Sequence, residues 1–326
     1  MRLGSAAESG RGRAFDRSGD YREAVARAST RPRRGCGAWW ALAVVLALAA
    51  PSPPARAADI AHGALLHPLV PAPSLGESGR SVRVYLPPSY ALPESSAKRY
   101  PLVVLLHGWP GGDGNWLGPG RAAVTLDSMI ASHAIPEIVA LFPSANGGGA
   151  LGRSMYLNAY DGRFSIQDFL VRDLVAWADR TFRTRPEPGA RALLGLSEGG
   201  SAALNLALRN PGAFGAAASL SGEFRLARAF GLKGVLGPEP GATRILADNS
   251  PLLYIDRIVT QARRQNLYLD CGLDDPDLLA QNRDFDRRLT ALGIPHRYNE
   301  FPGGHGWGYW RAHLRDALLA VTSRMR

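Results

Sequence analysis

The chain has 326 residues, 46% of them apolar, enough for one large domain with a sizeable core and too few for two once its N-terminus is set aside. Its formal charge of +10 is unevenly spread: residues 1–57 hold ten Arg against four acidic residues, and the remainder 28 basic against 24 acidic. A remainder so nearly balanced, with no basic cluster interleaved with aromatics, does not read as a nucleic-acid binder.

The first segment reads as an address. Arg31, Arg33 and Arg34 precede a thirteen-residue apolar stretch, 38–50, then a Pro-rich run and Ala55-Arg56-Ala57, the small-x-small pattern of a signal-peptidase site. Thirteen helical residues span about 20 Å, short of the roughly 30 Å of a bilayer core. Cleavage after Ala57 is therefore predicted, with a mature start at Ala58 and export to the periplasm or beyond; the alternative is an uncleaved membrane tether. Residues 1–37 are Arg-, Ser- and Gly-rich without apolar period, so they are either disordered or upstream of the true start codon. Of the two cysteines, Cys36 leaves with the signal. Cys271 has no partner for an internal disulfide and sits in an apolar strand pattern, as a buried, inert thiol does.

From about residue 80, strand candidates alternate with helix candidates, the pattern of a largely parallel sheet covered on both faces. Residues 82–86 alternate and stop at Pro87 and Pro88, which predicts an early edge strand. Residues 102–106, 138–142 and 192–194 are continuous apolar runs suited to buried parallel strands. Phe169, Leu170, Leu174, Trp177 and Phe182 recur at helical spacing and predict a helix ending near Arg183. Residues 200–210, closed by Asn210-Pro211, predict another. Strands are expected at 215–220, 267–271 and 296–301, and late helices at 276–292 and 307–325. Residues 222–250 break the alternation with Gly and Pro, as a loop or small cap over a site does, or as a surface excursion does.

Chemistry concentrates in the turns. Gly195-Leu196-Ser197-Glu198-Gly199-Gly200 lies between a buried strand and a helix, the setting in which Gly-x-Ser-x-Gly forms a nucleophile elbow. Chance alone would supply roughly 0.3 such patterns in this composition, so the flanking elements carry the inference. A helix start behind Ser197 offers backbone N–H groups where charge develops on an attacked carbonyl, making the Glu198 amide one oxyanion donor. The second is assigned to the Trp109 amide, in the loop His107 to Gly112 that follows an earlier strand. His107 closes that strand and reads as structural. Of seven histidines, His305 alone sits in a Gly-flanked loop before the last helix, where a general base must reach back to the serine. The acid should follow the 267–271 strand: Asp275 is preferred and Asp274 is second, with Asp270 and Asp277 read as nearby or helix-capping acids. No His pair has metal-ligand spacing. The chain order Ser197, Asp275, His305 is that of α/β-hydrolases.

With these loops placed, residues 79–324 resemble the putative-esterase family of α/β-hydrolases, the group of esterase D, feruloyl esterases and antigen 85 mycolyltransferases. The resemblance rests on Leu105-Leu106-His107-Gly108, the Ser197 elbow, Ser219-Leu220-Ser221-Gly222, the run Leu269 to Asp275, and Pro302-Gly303-Gly304-His305-Gly306-Trp307. It implies the α/β-hydrolase fold for residues 58–326, a mostly parallel central sheet, the Ser197–His305–Asp275 triad, and neither cofactor nor metal. It also favours Asp275, because the family's acid stands four residues after the position of Cys271. Glu198 departs from it, since many relatives carry Met there.

The function expected is carboxylic-ester cleavage through a Ser197 acyl-enzyme, on a small-molecule or glycan or lipid ester. The alternative is an acyltransferase passing the acyl group to a sugar or lipid hydroxyl; a reading of another class is a non-catalytic envelope protein that keeps the fold. Trp109, Trp116 and Trp307 either line an aromatic-walled site or belong to the core, with Trp109 and Trp307 taken as substrate-binding candidates. Oligomeric state has no signature in the sequence.

Overall fold

The computed structural model describes residues 60–147 and 152–325, so the expected signal segment and the expected cleavage after Ala57 lie outside the described residues. No helix among the described residues is long and apolar enough to cross a membrane.

Among the described residues the fold is a nine-stranded mixed sheet with helices on both faces. In chain order the strands are β1 (Ala64–Leu66), β2 (Leu69–Ala72), β3 (Glu77–Leu86), β4 (Leu102–Leu106), β5 (Val139–Pro143), β6 (Arg191–Leu196), β7 (Ala216–Leu220), β8 (Asn266–Gly272) and β9 (His296–Phe301). They lie side by side as β1-β3-β5-β4-β6-β7-β8-β9, with β2 also pairing β3. From β5 to β9 every neighbour is parallel, while β3 runs antiparallel to β5.

The continuous apolar runs are buried on both faces, as parallel strands between two helical layers must be. In β4, Leu102, Val104 and Leu106 enter one core and Val103 and Leu105 the other. The helix Glu198–Arg209 supplies Leu204 and Leu208 to the first, and the helix Trp307–Thr322 supplies Leu314 and Leu318 to the second. Each such fully buried leucine contributes about 1.5–3 kcal/mol of transfer free energy. Strand β7, small at Ala216, Ala217, Ala218 and Ser219, lets the flanking helices approach the sheet closely.

One expectation changes. The strand at 82–86 begins earlier, at Glu77, and is not an edge: β1 pairs its far side at Leu86 to Val84, and β2 pairs it at Ser81 and Arg80. Short strands with exposed side chains, such as β1, have no apolar period to announce them. Residues 222–250, expected as a loop or small cap or as a surface excursion, contain the helices Lys233–Leu236 and Gly241–Asp248, with Val235, Leu236 and Ala242 buried. Elsewhere the boundaries move by a few residues, and the helix expected to end near Arg183 runs over residues 166–181 with a π-helical turn at Phe169–Asp173.

Chain connection sets where a site can form. After β4 the chain adds β5 on one side, then returns to place β6 on the other. Loops leaving the C-terminal ends of β4 and β6 therefore diverge and leave a crevice, the place where open α/β sheets bind ligands. Those loops are the ones holding Trp109 and Ser197.

Candidate active site

The turn after β6 leaves no room for a side chain at Gly195 or Gly199. A Cβ on Gly195 would lie 2.0 Å from the Gly199 carbonyl oxygen, and one on Gly199 would lie 2.4 Å from that of Leu106. Both neighbours are backbone, which cannot swing aside. Gly195→Ala is accordingly expected to cost at least about 2 kcal/mol of stability, read as a lowered denaturation midpoint; an unchanged midpoint would contradict this packing.

Within that turn Ser197 takes φ 53° and ψ −125°, an unfavourable conformation for a residue with a side chain. Its N–H donates to the Leu220 carbonyl at 2.9 Å, and its carbonyl accepts the Ser201 N–H at 3.0 Å, so β7 and the first helical turn hold it there. The hydroxyl is thereby presented above the sheet, with the N-terminus of the Glu198–Arg209 helix behind it.

His305 lies in the loop between β9 and the last helix, where Gly303 adopts φ 124°. Its Nε2 stands 2.9 Å from Ser197 Oγ and its Nδ1 2.7 Å from Asp275 Oδ2. Asp275 is 2% exposed while the histidine side chain is 37% exposed, so the relay runs from a buried carboxylate to an open crevice. Trp310 closes the back of the imidazole, edge-on at 4.9 Å between ring centroids, with its own Nε1–H donating to Ser221 Oγ at 3.3 Å.

The other acids after β8 have different partners. Asp274 is exposed, and its Oδ2 accepts the Gly303 N–H at 3.2 Å, which tethers the histidine loop. Asp277 lies exposed on the surface. Asp270 is fully buried under Tyr309, whose hydroxyl donates to it at 2.9 Å. Burial pushes the Asp270 carboxyl up to about 7, against the opposing pull of the Tyr268 and Tyr309 hydroxyls. Because the folded state keeps this proton after the unfolded chain has lost it, the group's contribution is complete below about pH 4. It is lost as pH rises towards 7, by up to about 1.4 kcal/mol per pH unit. Asp270→Asn should remove that slope, so that the variant's melting midpoint falls less than the wild type's between pH 5 and pH 7. Identical pH dependence in the two proteins would contradict it.

The β4 loop runs against Ser197: a Cβ on Gly108 would come within 3.2 Å of Ser197 Cβ. Trp109, next in sequence, is half-buried beside it. His107 is buried, its Nδ1–H donating to the Gly108 carbonyl at 2.7 Å and its Nε2 accepting the Ala145 N–H at 3.1 Å. Burial also pushes its pKa down, so it is a neutral brace for the loop. Trp116 is a core residue, 1% exposed with Nε1–H donating to the Leu106 carbonyl at 3.0 Å; its indole is consumed in fixing the end of β4. Trp307 packs edge-on against both Trp116 and Trp310 while remaining half-buried. Cys271 is buried, and burial, with the charges of Asp275 and Asp270, pushes its thiol up to about 12. Among the described residues no group of His, Cys, Asp or Glu could hold a metal ion.

Arg153 was not singled out by its sequence. It pairs with Glu198, its Nε donating to Oε1 at 2.5 Å, and its guanidinium lies 4.5 Å from the centre of the Trp109 ring. Glu223 stands near the same pair, and burial pushes both acids above the usual carboxylate range. A cavity of about 600 Å³ between Pro88, Lys98, Ile130, Glu137 and Met325 lies at the N-terminal ends of β4 and β5, away from Ser197.

A hydroxyl, an imidazole and a buried carboxylate in series can deprotonate the hydroxyl for attack on a carbonyl and return the proton to a leaving group. Known proteins resemble this chain in sequence and in fold. The chain is 31% identical over 252 residues to Esterase Rv1288 of Mycobacterium tuberculosis, covering 69% of this chain and 52% of that protein, so it spans about half the length of this relative. It is 31% identical over 169 residues to an endo-1,4-beta-xylanase/feruloyl esterase of Xylanibacter ruminicola, covering 50% of this chain and 22% of that protein. Among solved structures, a ferulic acid esterase superposes with a TM-score of 0.72 at 24% identity over 81% of this chain and 99% of its own, a likeness of fold. The profile of the family described as Putative esterase matches residues 73–321, and the chain belongs to that family.

Proposed function

We propose that this chain is a carboxylic-ester hydrolase that works through an acyl-enzyme on Ser197. The observation that carries the reading is the unbroken series Ser197 Oγ, His305 Nε2, His305 Nδ1 and Asp275 Oδ2, at 2.9 and 2.7 Å, set in the crevice where the strand order reverses. Ser197 attacks the ester carbonyl as His305 takes its proton, and Asp275 holds the imidazole in the required tautomer and steadies its positive charge. The amides of Trp109 and Glu198 receive the developing oxyanion. His305 then protonates the departing alcohol, activates a water molecule, and the second tetrahedral intermediate collapses to release the acid. Trp109 and Trp307 are the aromatic surfaces offered to the substrate, and the esterase names of the relatives support the reaction class. The residues before Ala58 support export with cleavage after Ala57, checked by N-terminal sequencing of protein recovered from outside the cytoplasm.

The test is turnover of a panel of p-nitrophenyl, feruloyl and acetyl-sugar esters, with products followed in the presence and absence of trehalose. Free acid as the product under both conditions supports the hydrolase. An acylated polyol as the main product would replace it with an acyltransferase, and no turnover together with no fluorophosphonate labelling would replace it with a binding protein.

A further inference from the structure

Arg153 follows β5 and lies outside the Ser197–His305–Asp275 series, yet its guanidinium meets three other segments of the site. It forms a two-nitrogen ion pair with Glu198, one residue beyond the nucleophile. Its Nη1 donates to the Phe230 carbonyl at 2.9 Å, in the 222–250 segment. Its flat face lies on the indole of Trp109. The two paired side chains are only 14% and 12% exposed, so the pair is largely shielded from water. Trp109 and Glu198 are the residues whose amides are assigned to the oxyanion.

A carboxylate at position 198 stands beside the place where negative charge must grow during attack. In a half-buried site an unopposed charge there would raise the energy of the oxyanion, and the helix N-terminus alone would be working against it. A guanidinium can donate to a carboxylate with two nitrogens, reach a carbonyl with a third and stack on a ring together, which one ammonium cannot do. Glu223 adds a second nearby acid, whose carboxyl meets the Ala227 N–H at 3.2 Å and has no ion pair with Arg153.

We propose that Arg153 is a positioning residue of the ester-cleaving site: it neutralises the Glu198 side chain beside Ser197 and pins the Trp109 loop, the start of the Glu198 helix and the Phe230 segment to one another. The proposal rests on the esterase reading of Ser197. It acts on the transition state through Glu198 and Trp109, so it should move kcat more than KM.

The experiment compares wild type, Arg153→Lys, Arg153→Met and the double variant Arg153→Met/Glu198→Met on p-nitrophenyl acetate, with fluorophosphonate labelling and melting curves for each. Arg153→Met should lose kcat by about 30-fold, with KM changed less than about threefold, because the acid is left unpaired. Arg153→Lys keeps the charge and should lose less than about tenfold. The double variant should recover at least about tenfold over Arg153→Met, since the unpaired carboxylate is gone. A double variant no faster than Arg153→Met, or an Arg153→Met as fast as wild type, overturns the proposal while leaving the esterase reading in place. A wild type that neither turns over the ester nor takes the label overturns the esterase reading and the proposal with it. Arg153→Gln replaces Arg153→Met in the same comparison if the latter does not fold.

Discussion

Ser197→Ala is expected to lower turnover of p-nitrophenyl butyrate by about four to six orders of magnitude and to abolish fluorophosphonate labelling, with the melting midpoint close to wild type. The substitution removes the one atom that would bond to the acyl carbon. It leaves the Cβ, the backbone bonds to Leu220 and Ser201, and the helix start in place. What remains should be the small rate that oriented amides and a bound substrate can give to direct attack by water. Activity within tenfold of wild type would place the nucleophile elsewhere.

Asp275→Asn should lower kcat by about four orders of magnitude, whereas Asp274→Asn should cost less than about tenfold. The difference follows from direction. Asp275 accepts the Nδ1–H of His305, and an amide NH2 turned to that nitrogen selects the tautomer in which Nε2 carries the proton and cannot accept one from Ser197. Asp274 instead accepts a backbone N–H from Gly303 at 3.2 Å, a bond that an asparagine oxygen can retain. Kinetics at saturating substrate on the two variants decide between them. The reverse order of losses would transfer the role to Asp274.

What could be read in advance was whatever leaves a local pattern. The runs at 102–106 and 192–194 are apolar at every position because both faces of β4 and β6 are covered, so their burial is written in consecutive letters. The glycines at 195 and 199 mark a turn that tolerates no Cβ, and the Gly-flanked His305 marks a late loop. Harder to read was anything set by side-chain direction or by pairing across the chain. Asp274 and Asp275 are adjacent and of one residue type; the resemblance favours Asp275, but the turn that buries it and exposes Asp274 is not written in local pattern. Trp116 reads equally as site wall or core in the sequence; its 1% exposure and the bond of its N–H to the Leu106 carbonyl make it core. The helix Ala122–Ala131 has a buried face of Ala122, Leu126, Met129 and Ile130 at helical spacing, but at ten residues, with Asp127 also buried, it leaves only a short pattern in the sequence. Arg153 and Glu198 are 45 positions apart with no motif joining them, and the single hint was that Glu198 departs from the family resemblance.

The most direct test of the central claim is peptide mass spectrometry on enzyme quenched in acid during turnover of p-nitrophenyl acetate. An acetyl group on the peptide that contains Ser197, absent from the Ser197→Ala variant, is the predicted result. Sustained turnover with no adduct on that peptide, or with the acetyl group on another residue, would contradict it.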